Sequence, residues 1–222
     1  MNFKIKNLGL RILKLKAKSQ KLKAGFSLVE LMVVISIFVI MTTVLILNYN
    51  KFGGNLLITN LAYDVALTIR EAQTYGIGVK QATYGGGATT FDAGYGVHFD
   101  WSSPTTYILF YDAGGLPGGD KIYNTGEAVR IYELKNGNEI ETVCGAYAIS
   151  IDEFECNSSP PGIDIVFYRP NPEAYINASE GGASYDKIRV CLKSPQGKRK
   201  AIITHVSGQI SVQNIDNCWN NY

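Results

Sequence analysis

Between Phe26 and Leu47 the chain carries a single charged residue, Glu30, and neither proline nor glycine. Residues 1–25 contain no acid, and no cysteine occurs before Cys144. No CxxC pair exists, and neither His98 nor His205 stands near a cysteine, so a zinc site is not expected. The motifs GxSxG, HExxH, GxGxxG and the P-loop are missing, and Ser207 beside His205 lacks a nucleophile elbow. These absences argue against a catalyst. Strands and helices do not alternate, which excludes a parallel, doubly wound sheet.

What is present begins with charge. The chain has 222 residues, and its net charge of +2 hides an asymmetry. Lys4, Lys6, Arg11, Lys14, Lys16, Lys18, Lys21 and Lys23 are eight basic residues in the first 25, which leaves 21 − 8 = 13 against 19 acids, a net of −6 for the rest. Basic residues before an apolar run favour the cytoplasmic side. The N-terminus is expected inside and everything after Leu47 outside. Ile5, Leu8, Ile12 and Leu15 recur at helical spacing among the lysines, as in a basic amphipathic helix on an anionic leaflet. An acidic outer part offers nucleic acid little attraction.

Phe26–Leu47 has the length of a membrane span: 22 helical residues cover about 33 Å, against roughly 30 Å of hydrocarbon. A secretory signal peptide would have a shorter core and a small-residue cleavage site, which NYNKFGG does not supply. A carboxylate at membrane depth costs about 2.5–3.5 kcal/mol and marks a functional position.

Gly25-Phe26-Ser27-Leu28-Val29-Glu30, at the border of the basic leader and the apolar run, resembles the class III signal of type IV prepilins and pseudopilins. The resemblance implies cleavage after Gly25 by a membrane-embedded prepilin peptidase and methylation of the new amine of Phe26. It also implies that Glu30 pairs with the N-terminal amine of a neighbouring subunit during assembly. The implied partners are the peptidase, other pilin or pseudopilin subunits, an inner-membrane assembly platform and membrane lipid. A cytoplasmic-membrane location would precede an extracytoplasmic filament. Glycine suits a cleavage site because its backbone enters a protease cleft without side-chain hindrance. The pattern Leu61-x-x-Asp64-x-x-x-x-x-Arg70-x-Ala72 is similar to that of pseudopilin H and FimT-like minor pilins. A DNA-uptake pilin and an anchored binding module that never polymerises are the rival readings.

The expected fold class is α+β, a long helix packed on an antiparallel sheet. Its parts are the leader 1–25, the span 26–47, an amphipathic continuation 48–77 and a β-rich head 78–222. Gly53-Gly54 marks a flexible or unwound point, and Leu57, Leu61, Val65, Ile69 and Ala72, widened by Ile58 and Ala62, form the packing stripe of a helix from about 55 to 75. Short strands follow from Val79 to Gln213, separated by turns such as Asn136-Gly137 and Pro195-Gln196-Gly197. Alternation places His98 on a polar face, and Cys191 with Lys187, Arg189 and Lys193 away from the core. The expected disulfides are therefore Cys144–Cys156, closing a local loop, and Cys191–Cys218, pinning the tail across the sheet.

Asp112, Asp120, Asn124 and Glu127 lie in a glycine-rich stretch that offers oxygen ligands without the D-x-D-x-D spacing of a calcium loop. No cofactor is expected, with structural calcium the one candidate. Gly197-Lys198-Arg199-Lys200 is a basic turn in an acidic head, and no nucleic-acid partner is favoured.

Overall fold

A computed structural model describes residues 25–78, 80–84, 88–113, 119–147, 154–156, 162–179 and 183–219, the side chains of 48–53, 84 and 88 excepted. The expected leader helix, Val79 and residues 114–118 of the oxygen-rich stretch lie outside them. Helix α1 comprises Leu28–Ile77, and the chain divides into two compact units, Met1–Leu45 and Ile46–Tyr222.

In the first unit every described residue is exposed except half-buried Thr42. No apolar partner covers the segment, yet its backbone is satisfied within the helix, the condition for residence in lipid. Ser36 Oγ donates to Met32 O at 2.7 Å and Thr43 Oγ1 to Val39 O at 2.7 Å, so these hydroxyls are satisfied internally as well. By length and composition Leu28–Leu47 qualifies as a membrane span.

In the second unit the buried face of α1 is Ile58, Ala62, Val65, Ala66, Ile69 and Ala72. The expected stripe holds at Ile58, Ala62, Val65, Ile69 and Ala72 and fails at its margin, where Leu57 is 45% exposed and Leu61 only half-buried. Alanine at three of the six buried positions lets the sheets approach the helix closely. Helix continues through Gly53-Gly54, contrary to the expected unwound point. A Cβ on Gly54 would stand 2.6 Å from Gln196 Oε1, so this glycine makes room for a loop instead of breaking the helix. The helix ends where Gly76 abuts β7, since a Cβ there would meet Phe167 O at 2.3 Å.

Eleven strands follow among the described residues: β1 (Ala82–Tyr84), β2 (Ala88–Thr90), β3 (Gly94–Asp100), β4 (Thr106–Asp112), β5 (Ala128–Glu133), β6 (Glu139–Ala146), β7 (Gly162–Phe167), β8 (Ala174–Ala178), β9 (Lys187–Lys193), β10 (Arg199–His205) and β11 (Ile210–Asn214). They form a β1–β2 hairpin, a four-stranded sheet ordered β11-β10-β9-β6 and a five-stranded sheet ordered β5-β4-β3-β7-β8. Every pairing is antiparallel, which bears out the α+β class. Strands β2 and β8 were not legible in the sequence.

One core joins the helix to both sheets. Tyr95, Val97 and Phe99 of β3, Ile163, Ile165 and Phe167 of β7, and Ile188, Val190 and Leu192 of β9 meet the buried face of α1. Such alternation is what a half-buried strand requires. The outer faces are covered too. Tyr123, from the β4–β5 connection, packs on Phe110 at 5.4 Å and on His98 at 4.7 Å, while Asn177 Nδ2 donates to Lys121 O at 3.2 Å.

Candidate functional site

Gly25, Phe26 and Ser27 precede the helix and are all exposed. Open space surrounds Gly25, with nothing within 4 Å of where a Cβ would lie. A peptidase needs such an accessible, non-helical bond. Leu31 N–H donates to Ser27 O at 3.1 Å, which puts Ser27 at the N-cap position with Glu30 three residues on. Ser-x-x-Glu is a capping-box pattern, a helix-start signal that the sequence reading passed over. Glu30 sits in the first turn of α1, where the helix dipole favours a negative charge. Its residue is exposed, and it forms no ion pair among the described residues. Glu30 lies four residues from Phe26 in the chain.

The head shows where the other candidates go. Cys144 and Cys156 form a disulfide, as expected. The expected Cys191–Cys218 bond is not formed. Both are thiols, buried with Ala201 and Ile215 on the outer face of the four-stranded sheet. A hydrogen bond with Cys191 and burial push the Cys218 thiol well above its ordinary range. Arg189 Nη1 donates to Cys218 O at 3.2 Å, and Cys156 Sγ lies 3.5 Å from the same oxygen. The tail does cross the sheet, held by packing and these contacts, and Cys191 is fully buried, not solvent-facing as alternation implied.

His98 is hydrogen-bonded on its polar face, as expected there, but it is buried. It is 9% exposed, because the β4–β5 connection closes over the face that alternation marked as polar. Its Nδ1 lies 2.7 Å from Oδ1 of buried Asp164 and 3.4 Å from Ser179 Oγ. Both partners address one ring nitrogen. A nucleophile–histidine–acid relay needs them on opposite nitrogens, so the geometry is that of a buried polar pair.

Asp112 Oδ2 accepts from Lys121 N–H at 2.7 Å and from the Tyr168 hydroxyl, and Oδ1 from Asp120 N–H at 3.2 Å. Glu127 accepts from Asn124 N–H at 2.9 Å and Ala113 N–H at 3.3 Å. Burial raises both carboxyls above their ordinary range, against the opposing pull of these bonds. These carboxylate oxygens accept hydrogen bonds from the loop backbone. Among the described residues no three His, Cys, Asp or Glu side chains are placed to hold a metal. Elsewhere Glu141, the extra residue of a bulge opposite β9, takes a bidentate pair from Arg199, at 2.5 and 2.8 Å. That pair holds the Glu141 carboxyl below its ordinary range.

Residues 20–46 match the family model described as the prokaryotic N-terminal methylation motif. No curated protein and no solved structure matches the chain. The matched segment contains Gly25, Phe26 and Glu30, and it supports a type IV pilin-like family. Most of the chain, including the whole β-rich head, lies outside the match.

Proposed function

We propose that the chain is a prepilin-like structural subunit, cleaved after Gly25, methylated at Phe26 and assembled through Leu28–Leu47. The reading is carried by one coincidence: the methylation motif falls on an exposed, non-helical Gly25–Ser27 that leads into an apolar helix with no cover of its own. Such a helix needs lipid before assembly and like helices after it. Cleavage creates an ammonium at Phe26. Glu30 of a neighbouring subunit then supplies the counter-charge in a low-dielectric setting, where the pair attracts far more strongly than in water. The subunit is read as a minor member of the pseudopilin H or FimT-like type, working in a type II secretion pseudopilus or type IV pilus. Its 61–72 segment and elaborate two-sheet head motivate that choice.

Co-expression with a prepilin peptidase and intact-mass analysis tests the reading. The expected product has lost residues 1–25 and gained one methyl on Phe26. An unprocessed N-terminus in the presence of active peptidase contradicts it and favours a single-pass anchor. Gly25→Val is expected to abolish processing. Glu30→Ala is expected to be cleaved normally but excluded from filaments, and its normal incorporation would remove the pairing role.

A further inference from the structure

The two large sheets have four edge strands, and the chain covers them unequally. At β8 the outward backbone groups are taken up: Ala174 N–H donates to Val206 O at 2.7 Å, Ala178 N–H to Ala183 O at 2.9 Å, and Tyr185 N–H to Ile176 O at 2.8 Å. At β6 Ile140 N–H donates to Pro104 O at 2.7 Å, and Gly145 exchanges both bonds with Glu155, at 3.2 and 2.7 Å. The first three residues of β11 are half-buried. β5 is open. Five of its six residues are exposed, Ile131 to 60%, and no described residue hydrogen-bonds its outward side.

The register shows which groups point outward. Leu134 N–H donates to Thr105 O at 2.7 Å, which makes that pair a hydrogen-bonded one. Such pairs alternate along an antiparallel ladder, so Tyr132 and Arg130 turn their N–H and C=O towards β4, and Ile131 and Glu133 turn theirs away. Side chains alternate as well. Tyr132 stacks on Tyr107 at 4.9 Å and takes a hydrogen bond from Arg130 Nη1 at 3.1 Å, so these two share the face that carries the core. Ile131 stands on the other face.

Backbone donors and acceptors in a row restrict the occupant to an extended strand. Charge then selects which strand. Arg130 and Glu133 are the only charges in β5, and they cancel. In an antiparallel pair of β5 strands centred on Ile131, each Arg130 lies opposite the other copy's Tyr132, a cation beside an aromatic ring. Glu133 falls opposite the bulge at residue 129, where the ladder ends. Registers centred on residue 130 or 133 set like charges face to face, and one centred on 132 sets Ile131 against the Glu133 carboxylate.

We infer that β5 is a self-pairing edge: two copies of the chain join through antiparallel β5 strands with Ile131 on the twofold axis, so that two five-stranded sheets become one. The inference concerns the head alone and is independent of cleavage, methylation and assembly through the apolar helix.

The test is amide hydrogen exchange on the unprocessed full-length chain in detergent, at low and high protein concentration. Where about nine-tenths of the chain is dimeric, exchange at Ile131 and Glu133 is expected to slow about tenfold, because only the unpaired fraction exchanges. Ile131→Pro removes an N–H that β4 does not use. It is expected to keep the melting temperature of the head and to make exchange at Glu133 independent of concentration. Ile131→Lys keeps every bond to β4, sets two ammonium groups on the axis, and is expected to do the same. Under mild oxidation Ile131→Cys is expected to cross-link copy to copy, and Tyr175→Cys, on the covered β8, is not. A chain that stays monomeric overturns the self-pairing edge. So does a dimer in which Ile131 and Glu133 exchange as fast as in the monomer, which assigns association to the apolar helix. Protection that appears only when other pilin-like subunits are added also overturns it, giving the edge to a foreign strand. Failure of cleavage by the peptidase leaves every one of these outcomes unchanged.

Discussion

The two parts of α1 differ in how their apolar residues are arranged, and they have opposite fates. Before Ile46 nearly every side chain is exposed, with Leu, Ile, Val and Phe distributed all round the helix. From Ile58 to Ala72 most apolar residues keep to one face, Tyr63 and Leu67 being exposed, and that face is buried completely at Ala62, Val65, Ile69 and Ala72. A helix apolar all round needs an apolar solvent, whereas one with a stripe needs a partner surface. The first part therefore draws its stability from outside the chain, from lipid or like helices, and the second from the sheets that follow it.

Substitution sharpens that contrast most strongly. Ile69→Ala removes a fully buried side chain from the core and is expected to cost about 2–5 kcal/mol of head stability. Ile40→Ala, at an exposed position of the first part, should leave thermal unfolding of the head in detergent unchanged. Equal losses would break the distinction. Removing the Cys144–Cys156 disulfide, which closes a loop of sequence separation 12, is expected to cost roughly 3 kcal/mol and to lower the head's melting temperature alone. Arg199→Ala leaves Glu141 with its hydrogen bonds unmade and is expected to cost about 1.5–3 kcal/mol in denaturant unfolding.

The smallest effect is in pH. Asp112 and Glu127 have folded-state values above their unfolded ones, so the folded head binds protons more readily, and their share of stability rises as pH falls from 7 toward the ordinary carboxylate range. Glu141 runs the other way: its contribution is present above the ordinary glutamate range and is lost as pH falls through its depressed value. The melting temperature of the head should therefore rise slightly on mild acidification and fall on strong acidification. Asp112→Asn/Glu127→Gln should abolish the rise while leaving the fall.

Much of this was legible because the signals are local. A carboxylate in an apolar run, a glycine at its border and a basic flank need no tertiary information, and the methylation-motif match falls on the same residues. Antiparallel strands announced themselves by alternation. The misreadings share one cause. Cys191 and His98 were placed on outer faces by alternation, and that placement was right; what hid them was a tail and a loop that no period encodes. The helix stripe was legible at Ile58, Ala62, Val65, Ile69 and Ala72, but Leu57 is as apolar as Ile58 and only the position of the sheets leaves it exposed. The stretch from Asp112 to Glu127 left a calcium loop and a plain hairpin connection both open in the sequence, because oxygen-rich loops and carboxylate-capped turns use the same residues.

The sequence by itself determined that Phe26–Leu47 has the length and composition of a span, that Gly25 borders it and that Glu30 is its one charge. Each follows from composition along a stretch shorter than 30 residues. Only the tertiary structure decided that Cys191 and Cys218 meet as buried thiols, that His98 is sealed against Asp164, and that the β5–β6 and β9–β10 tips are neighbours. Those relations join residues far apart in the chain, and contacts at such separations come from packing two sheets on one helix.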